Sequence, residues 1–283
     1  MERYLAAKGL LFEMLAQPTD KAFPRAAVLN ADEAAAAYLR SVAGAPVTTY
    51  GVDAGADVRG RDVEADATGL RFAVEAEGRR FEAEATLAGR FNVYNCLAAV
   101  AVARSQGVPV ADAVAALARF PGVPGRLERI DRGQPFRVYV DIASTPAALE
   151  NVLRALRPAT SGRLWAVFGA AGGRDPSRRD GMGRVAGRLA DRAVLTNEDP
   201  RDEDPDAIIA AIAGGMIEAG RVDGVDFVRL PDRREAIAHA FAQAEPGDTV
   251  LLAGKATETT MLIGGEAVPW DERRVARELL DRL

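Results

Sequence analysis

The chain has 283 residues, of which 48% are apolar and 27% are charged, and its formal net charge at pH 7 is −5. This balance is typical of a folded globular protein, and the length is enough for two domains with separate cores. The negative charge argues against nucleic acid as a partner. The longest apolar run, 96–103, is far shorter than a membrane span of roughly 20 residues, so we expect no membrane association.

The amino terminus has neither the apolar centre nor the cleavage site of a signal peptide, which predicts a cytoplasmic protein. A single cysteine, Cys96, cannot form an internal disulfide, and we expect it to pack on the apolar face of a helix. With only one histidine, His239, a Cys/His metal site is excluded. Lysine is rare: Lys8, Lys21 and Lys255 are the only three among 36 basic residues.

The first 120 residues predict a mixed α/β region. Helical spacing is present over 2–16 and 31–42, and an apolar strand over 26–30 lies between them. Three alternating segments at 57–66, 69–76 and 79–87, with turns at Thr68-Gly69 and Glu77-Gly78, predict a β-meander. Two further helices are predicted over 92–106 and 109–120.

The segment PGVPGR (121–126) predicts a hinge, because two prolines and two glycines occur in six residues. We therefore expect one domain over 1–121 and a second over 122–283. In the second, strands alternate with helices of 10 to 15 residues, which predicts right-handed βαβ units and a mainly parallel, doubly wound sheet. The predicted strands are 137–143, 163–170, 192–197, 225–230 and 249–254, and the helices are 146–157, 180–190, 204–216, 232–244 and 272–283.

Charged residues follow four of these strands, at the edge where ligands bind in open α/β sheets. Arg174 and Arg201 suit bidentate binding of a carboxylate, and Glu258 could receive an amine. Together they predict an amino-acid pocket. Two plainer interpretations remain open: the glycine-rich stretch 169–175 as a flexible turn, and Asp204 with Pro205 as a helix cap.

Several collinear stretches resemble the Mur ligase family, and most closely the members that add the third peptide residue in peptidoglycan synthesis. They are YLAAKGLLFEML (4–15), GRFNVYNCLAA (89–99), VPGRLERID (123–131), VDIASTPAALENVLRALR (140–157), VFGAAGGRD (167–175), EDPRDEDPDAII (198–209), PDRREAI (231–237) and PGDTVLLAGKATE (246–258). The resemblance implies an incomplete central, ATP-binding domain followed by a Rossmann-like carboxyl-terminal domain that binds the amino acid.

The resemblance also implies ATP and Mg²⁺ as cofactors, and a UDP-MurNAc-peptide and a diamino acid as substrates. The substrate carboxylate would take the γ-phosphoryl group of ATP, and the amine of the amino acid would attack the acyl phosphate. The matching positions are Lys8 as a magnesium-binding carbamate, Asn92 and Asn95 near adenine, Arg126 and Asp141 at the nucleotide, and Arg174, Glu198, Asp199, Arg201, Gly254 and Glu258 around the amino acid.

The chain departs from the family pattern in several places. It contains no Gly-Lys-Thr or Gly-Lys-Ser phosphate loop and no UDP-sugar domain, so we expect this chain alone to bind ATP poorly. Ser144 and Thr257 stand where the family has histidines, and Gly173 replaces an aspartate. The family's Asp-Asn-Pro-Arg is here 198–201, Glu-Asp-Pro-Arg. Arg201 favours an amino acid with a side-chain carboxylate, whereas Asp199 favours a plain diamino acid.

Three functional hypotheses follow. The first is a fragment of a working ligase in which Met1 is an internal methionine. The second is a non-catalytic Mur-like binding module, and the third is a ligase of the polyglutamate or cyanophycin synthetase type. In each case we expect residues 1–120 to be less stable, or to be covered by a protein partner that completes the central domain.

Overall fold

The computed structural model describes residues 2–65 and 69–283, and the chain divides into two compact units between Pro121 and Gly122. The first unit comprises α1 (Glu2–Glu13), a 3₁₀ turn (Met14–Ala16), β1 (Ala27–Asn30), α2 (Ala36–Val42), β2 (Val47–Gly51), β3 (Val58–Ala65), β4 (Leu70–Ala76), β5 (Arg79–Ala85), α3 (Phe91–Ser105) and α4 (Val110–Leu117).

The sheet of the first unit has the strand order β1-β2-β3-β4-β5. β1, β2 and β3 pair in parallel, and β3, β4 and β5 pair antiparallel, which confirms the predicted meander. At the β4–β5 turn, Glu77 and Gly78 have φ values of 56° and 69°, as a two-residue hairpin turn requires. The other predicted turn, Thr68-Gly69, lies partly outside the described residues.

The core of the first unit forms between the sheet and α3, which buries Val93, Leu97 and Val100. Cys96 is buried in the same helix, as expected, and burial raises the pKa of its thiol to about 11. The predicted helix over 31–42 is partly wrong, because α2 begins only at Ala36. The Asp32 carboxylate accepts N–H bonds from residues 52–54, and this holds the segment after β1 in turns.

The second unit comprises β6 (Glu128–Ile130), β7 (Arg137–Asp141), α5 (Pro146–Leu156), a 3₁₀ turn (Arg157–Ala159), β8 (Leu164–Phe168), α6 (Ser177–Leu189), β9 (Arg192–Leu195), α7 (Pro205–Glu218), β10 (Phe227–Arg229), α8 (Arg233–Gln243), β11 (Thr249–Ala253), β12 (Thr260–Ile263), β13 (Glu266–Pro269) and α9 (Glu272–Leu280).

The main sheet of the second unit has the order β10-β9-β8-β11-β7-β6. Its first five strands are parallel and the edge strand β6 is antiparallel, which confirms the doubly wound fold. β8 and β11 are buried along their whole length, as expected for central strands covered on both faces. β6 and the antiparallel hairpin β12–β13 were not predicted.

Side-chain caps begin three of the helices that follow strands of this sheet. The Asp204 carboxylate accepts the N–H of Asp206 at 3.0 Å and Pro205 occupies the first turn of α7, which confirms the predicted cap. Thr145 and Asp232 cap α5 and α8 in the same way. Among the described residues, no helix combines the length and apolarity that a membrane span requires.

Candidate functional site

A buried lysine lies between the loops that follow β9 and β11. The Lys255 side chain is 0% exposed, and its ammonium donates to Asp199 Oδ1 at 2.7 Å and to Glu258 Oε2 at 2.5 Å. The same Asp199 oxygen accepts the N–H of Leu262 at 2.9 Å. Asp199, on the loop after β9, and Glu258, on the loop after β11, therefore meet at one ammonium group.

Glu198 lies beside this cluster and is buried. Its Oε2 atom has no hydrogen-bond partner among the described residues. Burial raises the pKa of Glu198 to about 7, and the negative charges of Glu258 and Asp199 act in the same direction, while Arg233 and Lys255 oppose them. Burial and its carboxylate neighbours thus favour the protonated form of Glu198 more than in an ordinary glutamate.

Gly254 makes room for this carboxyl group. Its φ of +110° is a conformation that favours glycine, and a Cβ added there would lie 3.0 Å from Glu198 Oε2. Two of the predicted site residues are therefore packed directly against each other.

The backbone of Arg201 is hydrogen-bonded to the hairpin β12–β13, which the sequence did not predict. Its backbone N–H donates to Leu262 O at 2.9 Å, and its carbonyl accepts the N–H of Gly264 at 2.7 Å. These bonds hold Arg201 at φ +55°, a left-handed conformation that is costly for a residue with a side chain. The Nε atom of Arg201 is buried without a hydrogen-bond partner in the described structure. A guanidinium group with unused donor capacity at this edge suits an anionic ligand.

The glycine-rich loop 169–173 packs tightly against the loop after β9. A Cβ added at Gly169 would lie 2.2 Å from Thr196 O, and one added at Gly172 would lie 2.0 Å from Pro200 O. The N–H of Gly172 donates to Asp199 O at 2.8 Å. Close backbone approach, beyond simple flexibility, therefore explains glycine at these positions.

Arg174 is exposed at the end of this loop. The neighbouring Gly173 lies against Arg201, since a Cβ added at Gly173 would be 3.6 Å from Arg201 Nη1. The structure thus brings the two predicted carboxylate-binding arginines into adjoining loops.

Beneath the cluster, Arg233 and Glu272 form an ion pair at 2.6 Å with both side chains 0% exposed. Arg233 also donates to the carbonyl oxygens of Asn197 and Ala253, at 2.9 and 2.8 Å. Trp270 donates its indole N–H to Glu272 at 2.7 Å. This network ties the end of β9 to the end of β11, so it supports the loops that carry Glu198 and Lys255.

Sequence reasoning did not assign roles to Lys255, Arg233 or Glu272. The rarity of lysine singled out Lys255 for inspection, and Arg233 occurs in the quoted stretch 231–237. Neither signal reveals burial, which depends on the folded neighbours of each side chain.

Asp141 has both carboxylate oxygens occupied by backbone groups. They accept the N–H groups of Leu127 and Ala143, each at 2.8 Å. Burial raises the pKa of Asp141, and these two hydrogen bonds oppose the shift. The backbone carbonyl of Asp141 accepts the N–H of Gly254 at 2.9 Å, while Arg126 is exposed. Asp141 therefore organises the start of the second unit next to Gly254.

The predicted site residues of the first unit lie on two helices. Asn92 is buried, donates to Ala88 O at 2.7 Å, and accepts from the exposed Asn95 at 2.8 Å. Lys8 is exposed on α1, with its ammonium 5.4 Å from the centre of the Tyr4 ring. Within residues 2–65 and 69–283, no group of three or more His, Cys, Asp or Glu residues could hold a metal ion.

Comparison with protein families finds two matches. Residues 1–103 match the Mur ligase middle domain, and residues 125–256 match the Mur ligase, glutamate ligase domain. The two matched ranges together extend over most of the chain.

Individual relatives agree with these matches. The UDP-N-acetylmuramyl-tripeptide synthetase of Roseiflexus sp. (strain RS-1) is 47% identical over 291 residues, which cover 100% of this chain and 57% of that protein. The structure of a UDP-N-acetylmuramoyl-L-alanyl-D-glutamate–2,6-diaminopimelate ligase is 33% identical, with a TM-score of 0.62 over 99% of this chain and 56% of the other. MurF ligase from Thermotoga maritima, solved in complex with ADP, shares the fold at 17% identity, with a TM-score of 0.66 over 99% of this chain and 56% of that one.

The chain spans little more than half the length of each of these relatives. Within that span, the order of the motifs, the doubly wound second unit and both domain matches agree. The chain belongs to the Mur ligase family and carries its middle and glutamate ligase domains.

Proposed function

We propose that this chain is the amino-acid-binding part of an ATP-dependent ligase of peptidoglycan precursor synthesis, which joins a diamino acid to a UDP-MurNAc-peptide. The names of its relatives support this proposal, since one is a tripeptide synthetase and another a 2,6-diaminopimelate ligase. In the proposed reaction the amine of the amino acid attacks an acyl phosphate, the amide bond forms, and phosphate leaves.

One observation carries the proposal: groups of both charges converge at the carboxyl-terminal edge of β9 and β11. Arg201 has a buried Nε atom without a partner in the described structure, while Glu258 keeps 43% of its side chain exposed although it is bonded to Lys255. A free amino acid carries both a carboxylate and an ammonium group, so it complements this pair. Arg174 would add a second contact to a carboxylate from the adjoining loop.

The proposed ligase uses ATP and Mg²⁺. The support for ATP is the family, since the structure of one member contains ADP. Asn92, Asn95, Arg126 and Asp141 are the proposed nucleotide contacts. Lys8 is exposed, as reaction with carbon dioxide to form a carbamate requires. One carbamate is not a magnesium site, and the described residues hold no cluster that completes one. The remaining ligands would be phosphate oxygens and water, which Mg²⁺ commonly retains.

A protein partner for the first unit is a further part of this proposal. Tyr4, Leu10 and Leu11 of α1 are 64%, 57% and 64% exposed, and Phe23 is 75% exposed. Apolar side chains clustered on one short segment mark an interaction surface more often than isolated ones do. In the working ligase, we expect further protein to cover this face.

Calorimetric titration of the chain with meso-diaminopimelate and with L-lysine tests the amino-acid site. We expect at least one of them to bind, and we expect Arg201→Met to weaken binding about tenfold or more because a charge-assisted contact is lost. The matched control is Arg188→Met, which removes an exposed arginine from α6. If neither amino acid binds, or if the two variants behave alike, the proposed site is wrong.

A further inference from the structure

We propose that Lys255 is a positioning residue of the ligase reaction: its buried ammonium holds Glu258 to Asp199 and so orients Glu258 toward the ammonium group of the incoming amino acid. This inference rests on the proposed function, since it concerns the same pocket. It assigns a role to a side chain that touches other protein groups and not the reacting atoms.

The burial of Lys255 requires acceptors for the protons of its ammonium group. An ammonium group without solvent is stable only when its protons are bonded to acceptors, preferably charged ones. Here Asp199 lies 2.7 Å away and Glu258 2.5 Å away, on loops that follow different strands. Because Asp199 also accepts the N–H of Leu262, the same contact anchors the hairpin β12–β13.

The three carboxylates near this ammonium differ in how far they are exposed to solvent. Glu198 is buried and the Asp199 side chain is only 13% exposed, whereas the Glu258 side chain is 43% exposed. Glu258 is therefore the carboxylate that a ligand can reach. One of its oxygens is held by Lys255, so the direction in which the other points is restricted.

The charge balance explains why this restraint matters. Two carboxylates, Asp199 and Glu258, share this one ammonium, and the buried Glu198 is next to Asp199 in the chain. Without Lys255, like charges on Asp199 and Glu258 repel each other in a partly desolvated site. Glu258 would then turn toward water, and the geometry for the substrate amine would be lost.

Asp199 offers a specific test, because the Mur ligase motif quoted above has asparagine at this position. The change Asp199→Asn would keep an oxygen acceptor for the N–H of Leu262 but would remove the negative charge. It should therefore compensate in part for the loss of the Lys255 charge. A side chain that served only to fill space would show no such compensation.

The experiment measures binding of meso-diaminopimelate and L-lysine by calorimetry to the full chain and to Lys255→Met, Lys255→Arg and Lys255→Met/Asp199→Asn. We expect Lys255→Met to weaken binding at least about tenfold, and the double variant to recover part of this loss, because the charge repulsion is relieved while Glu258 still lacks the ammonium that holds it. Lys255→Arg keeps the positive charge but replaces the compact ammonium with a larger guanidinium group, so we expect an intermediate loss of binding. The control is Lys21→Met, the same change at an exposed lysine. Parent-like binding by Lys255→Met would overturn the proposal.

A second measurement tests the role of Lys255 without any amino acid, and so independently of the proposed function. Amide exchange at Leu262 reports the Asp199 contact with no ligand present, and an amide in β8 serves as the internal reference. Faster Leu262 exchange in Lys255→Met, restored in the double variant, supports the positioning role even if the parent binds neither amino acid. Unchanged exchange in a folded Lys255→Met rejects it. If Lys255→Met does not fold, the double variant and Lys255→Arg carry both measurements.

Discussion

Among the described residues, the two units of this protein differ most clearly in their buried charges, all of which lie in the second unit. In the second unit, charged side chains are enclosed: Lys255, Arg233 and Glu272 are all 0% exposed. In the first unit, apolar side chains face solvent, with Leu10 and Leu11 of α1 more than half exposed. The enclosed charges are paired, Arg233 with Glu272 and Lys255 with Asp199 and Glu258.

This difference indicates where each unit departs from the ordinary rule of apolar inside and polar outside. Buried charges are costly unless each finds a partner, so a paired network at the strand ends indicates a site. Exposed apolar clusters are costly in water, so they indicate a surface that other protein covers. The enclosed charges mark the candidate site of the second unit, and the exposed apolar side chains of α1 mark the surface proposed above for a protein partner.

The largest expected effect comes from breaking the buried ion pair. Arg233→Met leaves the buried Glu272 carboxylate with Trp270 as its one side-chain donor among the described residues, and we expect a loss of about 3–5 kcal/mol in the free energy of unfolding. Urea unfolding followed by tryptophan fluorescence measures it, because both tryptophans, Trp165 and Trp270, lie in the second unit.

Arg234→Met is the matched control for this change. Arg234 pairs with Glu278 at 2.9 Å, but the two side chains are 37% and 41% exposed. Solvent screens this pair, so we expect a loss below about 1 kcal/mol. Equal effects at positions 233 and 234 would show that the enclosed network adds no special stability.

The next effect is a pH dependence from Glu198. Its native pKa of about 7 lies above the ordinary 4.5, so the native state binds the proton more tightly than the unfolded chain does. This contribution to stability is complete below pH 4.5 and is lost as pH rises through 7. We expect up to about 3 kcal/mol of such loss between pH 4.5 and 8.

Glu198→Gln should remove this part of the pH dependence, which urea unfolding at several pH values measures. Glu266→Gln, at an exposed position of β13, is the control and should keep the parent profile. A parent-like slope in Glu198→Gln would mean that Glu198 ionises normally and that its burial is relieved in solution.

The smallest expected effect lies on α1. Leu10→Gln/Leu11→Gln should change the stability of the first unit by no more than about 0.5 kcal/mol per site, because both side chains already face solvent. Binding of a hydrophobic dye should fall, since the apolar surface is reduced. Ile217→Gln/Val222→Gln, also more than half exposed but in the second unit, provides the comparison. Unfolding of the first unit by the α1 change would show that this face is packed.

Local sequence signals predicted most of the fold. Apolar runs such as 164–168 and 249–253, each between helical stretches, indicate central strands, and Asp204-Pro205 indicates a helix start. The hairpin β12–β13 was not predicted, although the pair Gly264-Gly265 is a sequence signal for a two-residue turn. In the structure these glycines have φ values of 56° and 79°. The late start of α2 had none, because the Asp32 contacts that displace it come from residues 52–54.

Patterns along the chain predicted most of the strands and helices, the loops that carry the candidate site, and the family to which the chain belongs. These follow from periodicity, turn chemistry and collinear motifs, all of which are local or read along the chain. The folded structure was needed to show that Lys255 is enclosed between Asp199 and Glu258, and that Glu198 Oε2 has no hydrogen-bond partner among the described residues. Burial and pairing depend on loops brought together by a parallel sheet, so residues more than 50 positions apart in the chain set the charge of this site.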